Sequence, residues 1–190
     1  MKVVFLDVDG VLNCKSTKEV IWRDNGKQGF HGVEDSKTEL LAEIIMKTGA
    51  VIVLSSTWRL NKVKSIFDNY LFLDDLDDEE YDESPDKSAY KYLEMRLEQH
   101  GLEIYDDTPD SGGAYSRGKE INQWLEEHSD VEDYVVLDDE EFRDFETYGL
   151  TDHVVYTTFS KGLTEKTAKE AIDILLHKNE KTLGVTEDIS

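Results

Sequence analysis

Two aspartates one residue apart, Asp7 and Asp9, follow the apolar run Val3-Val4-Phe5-Leu6 and lead into Gly10. Carboxylates held close repel each other unless a cation or a shared proton lies between them. Such a pair suits Mg²⁺ and phosphate chemistry, with one carboxylate as nucleophile and the other as acid/base. Were strand geometry to persist, alternate residues would point the same way and both acids would share one side. Gly10 would then let the backbone turn sharply. Taken alone, Asp-x-Asp-Gly reads equally well as an acidic turn.

Three further segments carry groups of matching chemistry. The apolar run 50–54 ends at Ser55-Ser56-Thr57, where a hydroxyl can bond a phosphoryl oxygen, and Trp58 and Arg59 follow. The run 133–137 ends at Asp138-Asp139-Glu140, oxygen ligands suited to a hard cation such as Mg²⁺. Arg117-Gly118-Lys119 opens the segment that leads into that run and can bring positive charge to a phosphate. Singly these are a serine-rich turn, a solvated loop and a helix start. Together, in this order, they point to a phosphate site.

The elements that must position these groups are short. Residues 2–6, 50–54, 102–105, 133–137 and 153–157 are apolar and β-branched enough to be strands covered on both faces. Helical patterns lie between them. Ser36-Lys37-Thr38-Glu39 reads as a capping box, with Leu40, Leu41, Ile44 and Ile45 on one face and Gly49 as the stop. Residues 87–100 carry Tyr90, Leu93 and Leu97 and close at Gly101. Residues 118–128 carry Ile121, Trp124 and Leu125. Thr164 can cap a last helix that buries Ala168, Ala171, Ile172 and Leu175. Strands alternating with helices predict a doubly wound, Rossmann-like α/β fold with a central parallel sheet of about five strands and helices on both faces. Ligands in such folds bind beyond the carboxyl ends of the strands.

Composition narrows the class. A chain of 190 residues at 38% hydrophobic can bury one core, expected over residues 1–177 with a flexible tail over 178–190. The net charge of −22 repels polyanions, so tight unaided binding of a long nucleic acid is disfavoured. Acid is concentrated in 74–86, which has nine acids and no base and is expected to be an insertion or flexible loop. The 55–66 stretch instead carries Arg59, Lys62 and Lys64 with no acid. Cys14 is the sole cysteine, which excludes an internal disulfide, and the five histidines show no ligand spacing. No apolar run reaches membrane-span length, and no leader or anchor signature is legible, so a cytoplasmic protein without membrane partners is expected.

The four segments resemble the motifs of the haloacid dehalogenase-like (HAD) hydrolase superfamily. Asp7-Val8-Asp9-Gly10-Val11-Leu12 is similar to its first motif, the run ending at Ser55 to its second, Arg117 with Gly118 to its third, and Leu137-Asp138-Asp139 to its fourth. Over residues 54–59, 117–125, 135–139 and 162–175 the chain is most similar to the HAD domain of Swiss-army-knife RNA repair proteins. The resemblance implies an Mg²⁺-dependent phosphomonoesterase. Asp7 would form an aspartyl-phosphate, and Asp9 would protonate the leaving oxygen and then activate water. Ser55 or the adjacent Ser56, and Arg117 or Lys119, would bind the phosphoryl group. The metal would be held by Asp7, the Val8 backbone, Asp9, Asp138 and Asp139. Asp9 points to phosphoryl transfer, because halide displacement needs no proton donor.

The substrate is less closely defined. Only 45 residues separate Asp9 from Ser55, which leaves room for a small flap over 13–34 and no large cap. A minimal cap admits a terminal phosphate on a nucleic acid, whereas the −22 charge favours a nucleotide or small phosphomonoester. Trp58 and Arg59, and Trp22 and Arg23 in the flap, are candidate substrate contacts. A non-catalytic scaffold that binds phosphate or a partner through 74–86 is the alternative.

Overall fold

A computed structural model describes residues 1–22, 29–60, 89–112 and 116–183. Five parallel strands form the central sheet, in the order β5-β4-β1-β6-β7. They are β1 (Lys2–Leu6), β4 (Val51–Leu54), β5 (Ile104–Asp107), β6 (Asp133–Asp138) and β7 (Val154–Tyr156). A separate antiparallel pair, β2 (Val20–Trp22) with β3 (Gly29–His31), lies in the segment expected to form the flap. The helices are α1 (Asp35–Thr48), α2 (Ala89–Glu98), α3 (Arg117–Glu127), α4 (Asp144–Thr147) and α5 (Glu165–Leu183). This is the Rossmann-like α/β architecture that the alternating pattern predicts.

The two-residue period of the strands divides the core into two layers. Val4, Leu6, Ile52, Leu54, Val135, Leu137 and Val155 face one side and pack with residues of α1, α2 and α5. Val3, Phe5, Val53, Val136 and Val154 face the other and meet Ile121 and Trp124 of α3 and Phe145 of α4. Phe5 lies edge-on to Trp124, with ring centroids 5.4 Å apart. Both faces are covered, which is why the strands read as unbroken apolar runs rather than alternating ones.

Register sets the site. Leu6 pairs with Leu54 on one side and with Leu137 on the other, so the next residues of all three strands stand level. The Asp7 amide donates to the Leu137 carbonyl at 3.0 Å, and the Ser55 amide to the Leu6 carbonyl at 2.9 Å. By the same alternation Asp7, Ser55 and Asp138 project to the Phe5 side, where α3 lies.

Some expectations need correction. No capping box opens α1: the helix begins at Asp35, and its N-cap, Glu34, makes no side-chain cap. The Glu34 carboxylate instead accepts from Thr17 Oγ1 at 2.7 Å and pairs with Lys37 at 3.4 Å. A tertiary partner has claimed the group, and Ser36 falls inside the first turn. β5 begins at Ile104 rather than 102, because the Leu102 amide closes α2 on the Leu97 carbonyl and its side chain plugs the core. The last helix runs from Glu165 to Leu183. The acidic 74–86 segment, Arg23, Lys62 and Lys64 lie outside the described residues.

Candidate active site

Beyond the carboxyl ends of β1, β4 and β6, one guanidinium nitrogen gathers three strands. Arg117 Nη1 donates to Asp138 Oδ2 at 2.9 Å, to Asp7 Oδ1 at 3.1 Å and to Ser55 Oγ at 3.4 Å. Arg117 is the first residue of α3, and its helix abuts α4 so closely that a Cβ on Gly118 would meet the Asp144 backbone. That close approach sets the arginine at the level of the strand ends. Its guanidinium also lies over the Phe142 ring, 5.1 Å from the centroid.

All three charged groups are buried: Asp7 is 7% exposed, Arg117 8% and Asp138 1%. Desolvation raises the Asp7 pKa; the Arg117 charge and hydrogen bonds from Arg117 and Ser56 oppose that rise, while Asp9 adds to it. Asp138 is pushed up to about 7 by burial and by the Asp7 charge, against the pull of Arg117. Asp139, only partly buried, is raised to about 6 by desolvation and by the Asp7 and Glu140 charges. Burial works to lower the Arg117 pKa, but the charges of Asp7 and Asp138 outweigh it and the net shift is upward. The acids hold more negative charge than one arginine can offset.

Oxygen ligand atoms of Asp7, Asp138 and Asp139 lie within 4.8 Å of one another. An all-oxygen set with mutual repulsion fits a hard divalent cation, whose charge would relieve it. Gly10 makes the third ligand possible. Its φ is +74°, and a Cβ there would overlap the Asp139 carboxylate.

Asp9 stands apart from this group. The strand ends at Leu6 and a helical turn begins, so strand alternation does not relate Asp9 to Asp7. Both Asp9 oxygens are occupied: Trp58 Nε1 donates to Oδ2 and Asn13 Nδ2 to Oδ1, each at 2.8 Å. The three acids whose ligand atoms lie within 4.8 Å of one another are Asp7, Asp138 and Asp139, and Asp9 is not among them. The Val8 carbonyl accepts from the amides of Val11 at 3.1 Å and Leu12 at 2.9 Å. Those amides begin a turn and need an acceptor.

Between the paired alternatives, geometry separates one pair and joins the other. Lys119 is exposed on the outer side of α3, where its amide bonds Asp144 Oδ2 at 3.0 Å, whereas Arg117 occupies the site. Ser55 Oγ accepts from Arg117 at 3.4 Å, and the adjacent Ser56 is buried and works to lower the Asp7 pKa, so both serines belong to the cluster.

Arg59 lines the cleft with its donors already engaged. Its Nε donates to the Thr108 carbonyl, Nη1 to those of Ser55 and Ser56, and Nη2 to the Pro109 carbonyl and Glu120 Oε2. A guanidinium has five N–H donors, and these five bonds use them. Trp58 likewise turns its polar edge to Asp9 and is buried. Trp22 lies in β2 of the hairpin, and Arg23 lies outside the described residues.

Asn13 and Glu120 were missed in the sequence. Asn13 lies four residues after Asp9, one helical turn on, and that spacing is the signal that could have found it. Glu120 has no such signal. A buried acid that receives Arg59, Ser111 and Ser116 is visible only in three dimensions.

A cleft of about 520 Å³ opens over the cluster, and Thr57, Leu60, Asp110 and Phe142 form part of its wall. Among the described residues, no helix is long and apolar enough to cross a membrane. A family model described as the HAD domain in Swiss Army Knife RNA repair proteins matches residues 3–168. That span holds every group named above, and HAD domains are generally phosphatases. Comparison with curated proteins and with solved structures returns no match. With sheet order, strand-end acids and motif order all in agreement with this match, the chain belongs to the family of HAD domains of Swiss Army Knife RNA repair proteins.

Proposed function

We propose that the protein is an Mg²⁺-dependent phosphomonoesterase that works through a phosphorylated Asp7, on a nucleotide or the terminal phosphate of a nucleic acid. The observation that carries this reading is the single Arg117 nitrogen shared by Asp7, Ser55 and Asp138 at adjacent strand ends. It supports a nucleophile held beside a fixed positive charge in a buried site, where a phosphoryl group could be received.

In the first step an Asp7 oxygen bonds to phosphorus, the ester bond breaks, and the departing oxygen takes a proton from Asp9. In the second, water attacks phosphorus, gives its proton to Asp9, and the bond to Asp7 breaks to release phosphate. Arg117 offsets the charge that gathers on the phosphoryl oxygens, and the Ser55 or Ser56 hydroxyl donates to one of them. Asp7, Asp138 and Asp139 would hold the metal, which when bound supplies charge to the phosphoryl oxygens.

The family's description names RNA repair, which favours a nucleic-acid end. The net charge of −22, with Asp110 and Glu140 in the cleft wall, disfavours long stretches of phosphate backbone. One terminal phosphate satisfies both. Hydrolysis of p-nitrophenyl phosphate with and without Mg²⁺, beside Asp7→Asn, tests the reaction: equal rates for the two proteins would leave only a phosphate- or partner-binding scaffold. A panel of mononucleotides and of oligonucleotides phosphorylated at either end tests the substrate. Turnover of mononucleotides alone would exclude the nucleic-acid end.

A further inference from the structure

We infer that Trp58 is a positioning residue for Asp9, and that with Asn13 it clamps the carboxylate in the orientation from which a proton reaches the leaving oxygen. The inference rests on the acid/base role proposed above for Asp9.

Asp9 is exposed and sits on a turn, where a short side chain samples several rotamers. Here each of its oxygens meets a separate donor at 2.8 Å, the Trp58 indole on one and the Asn13 amide on the other. The donors are themselves fixed. Asn13 is fully buried and accepts the Gly10 amide on Oδ1 at 3.0 Å, which turns its Nδ2 toward Asp9. The Trp58 amide bonds the Ser56 hydroxyl at 3.5 Å, and its ring packs beside Tyr92, centroids 6.5 Å apart. Tyr92 in turn donates to Glu19 Oε2 at 2.7 Å and accepts from the Val33 amide at 3.2 Å. The indole is thus braced from α2 and from both ends of the segment that carries the β2–β3 hairpin.

Both donors are neutral N–H groups, so they direct the carboxylate without placing a further charge beside it. Each carboxylate oxygen keeps a second lone pair, so proton transfer does not require the clamp to open. The two contacts set its orientation.

The test reads leaving-group dependence. An alkyl phosphate needs a proton on its departing oxygen, whereas dinitrophenolate leaves without one. A misdirected Asp9 therefore slows the first and spares the second. In Trp58→Phe, which keeps the ring and removes the donor, kcat/KM for an alkyl phosphate should fall about tenfold or more, within the range that proton transfer contributes. For dinitrophenyl phosphate it should change by less than about threefold. The kcat/KM value reports steps only through phosphorylation of Asp7, so it is blind to slower hydrolysis of the intermediate. The ratio of the two constants is also unaffected by any unfolded fraction, which lowers both alike. Equal losses on both substrates would show a structural role, and no loss on either would show an idle contact; each overturns the inference. Asp9→Asn is the control. If it loses the alkyl ester and keeps the dinitrophenyl ester while Trp58→Phe does not, the acid role stands and the clamp alone fails. If Asp9→Asn shows no such selectivity, the acid role and the clamp fail together.

Discussion

Arg59 Nη2 and Glu120 Oε2 meet at 2.7 Å, with the two side chains only 5% and 6% exposed. The pair ties the turn after β4 to the first turn of α3, and so fixes the serines relative to Arg117. Glu120 also accepts from the hydroxyls of Ser111 and Ser116 through Oε1. Burial lowers the Arg59 pKa and the Glu120 charge opposes that shift.

Removing one member of a buried pair strands the other's charge, at a cost of about 3–5 kcal/mol. Arg59→Ala is expected to lose stability on that scale, read as a lower urea midpoint with an unchanged slope. A substrate-contact role would instead raise KM and leave the midpoint in place.

Arg117 and Lys119 are two residues apart but lie on different sides of α3. Arg117→Ala is expected to lower kcat/KM by about two to three orders of magnitude, the usual loss when a fixed charge stabiliser is removed. Lys119→Ala should remain within about twofold, as an exposed residue away from the site does. Steady-state kinetics on one aryl phosphate separates them.

Gly10→Ala meets two obstacles, a left-handed backbone and the Asp139 carboxylate. The first costs about 1–2 kcal/mol. The second displaces a candidate metal ligand, so the thermal shift given by Mg²⁺ should shrink more than the midpoint itself falls. Melting curves with and without Mg²⁺ read both.

The pH dependence has a definite sign. Asp138, raised to about 7, and Asp139, raised to about 6, hold protons in the metal-free fold that the unfolded chain has already released. Their stabilisation is complete below the ordinary carboxylate value of 3.8 and is lost as pH rises through about 6 to 7. A metal must displace those protons. Mg²⁺ affinity should therefore fall as the pH is lowered through the same window, with protons released on binding. Calorimetry in buffers of different ionisation enthalpy measures the release, and a buffer-independent heat would contradict it.

The chemistry was legible in one dimension wherever a strand ends. Apolar runs locate β1, β4 and β6, and the residue after each run must stand at the mouth of a parallel sheet. That logic reaches Asp7, Ser55, Asp138 and the α/β class, and the order of the motifs points to the family. It misjudges β5, an edge strand whose exposed Tyr105 and Asp106 break the apolar signal.

What remained was decided by packing between distant segments. The sequence determined which charged residues follow the strand ends, because the period of two and the need to bury the sheet leave few alternatives. Only the tertiary structure decided their partners. Asp9 meets Trp58 and Asn13, Arg59 spends its donors on carbonyls and Glu120, and the Glu34 carboxylate meets Thr17. A buried polar group must find a partner wherever the fold brings one, and separation along the chain says nothing of where that will be.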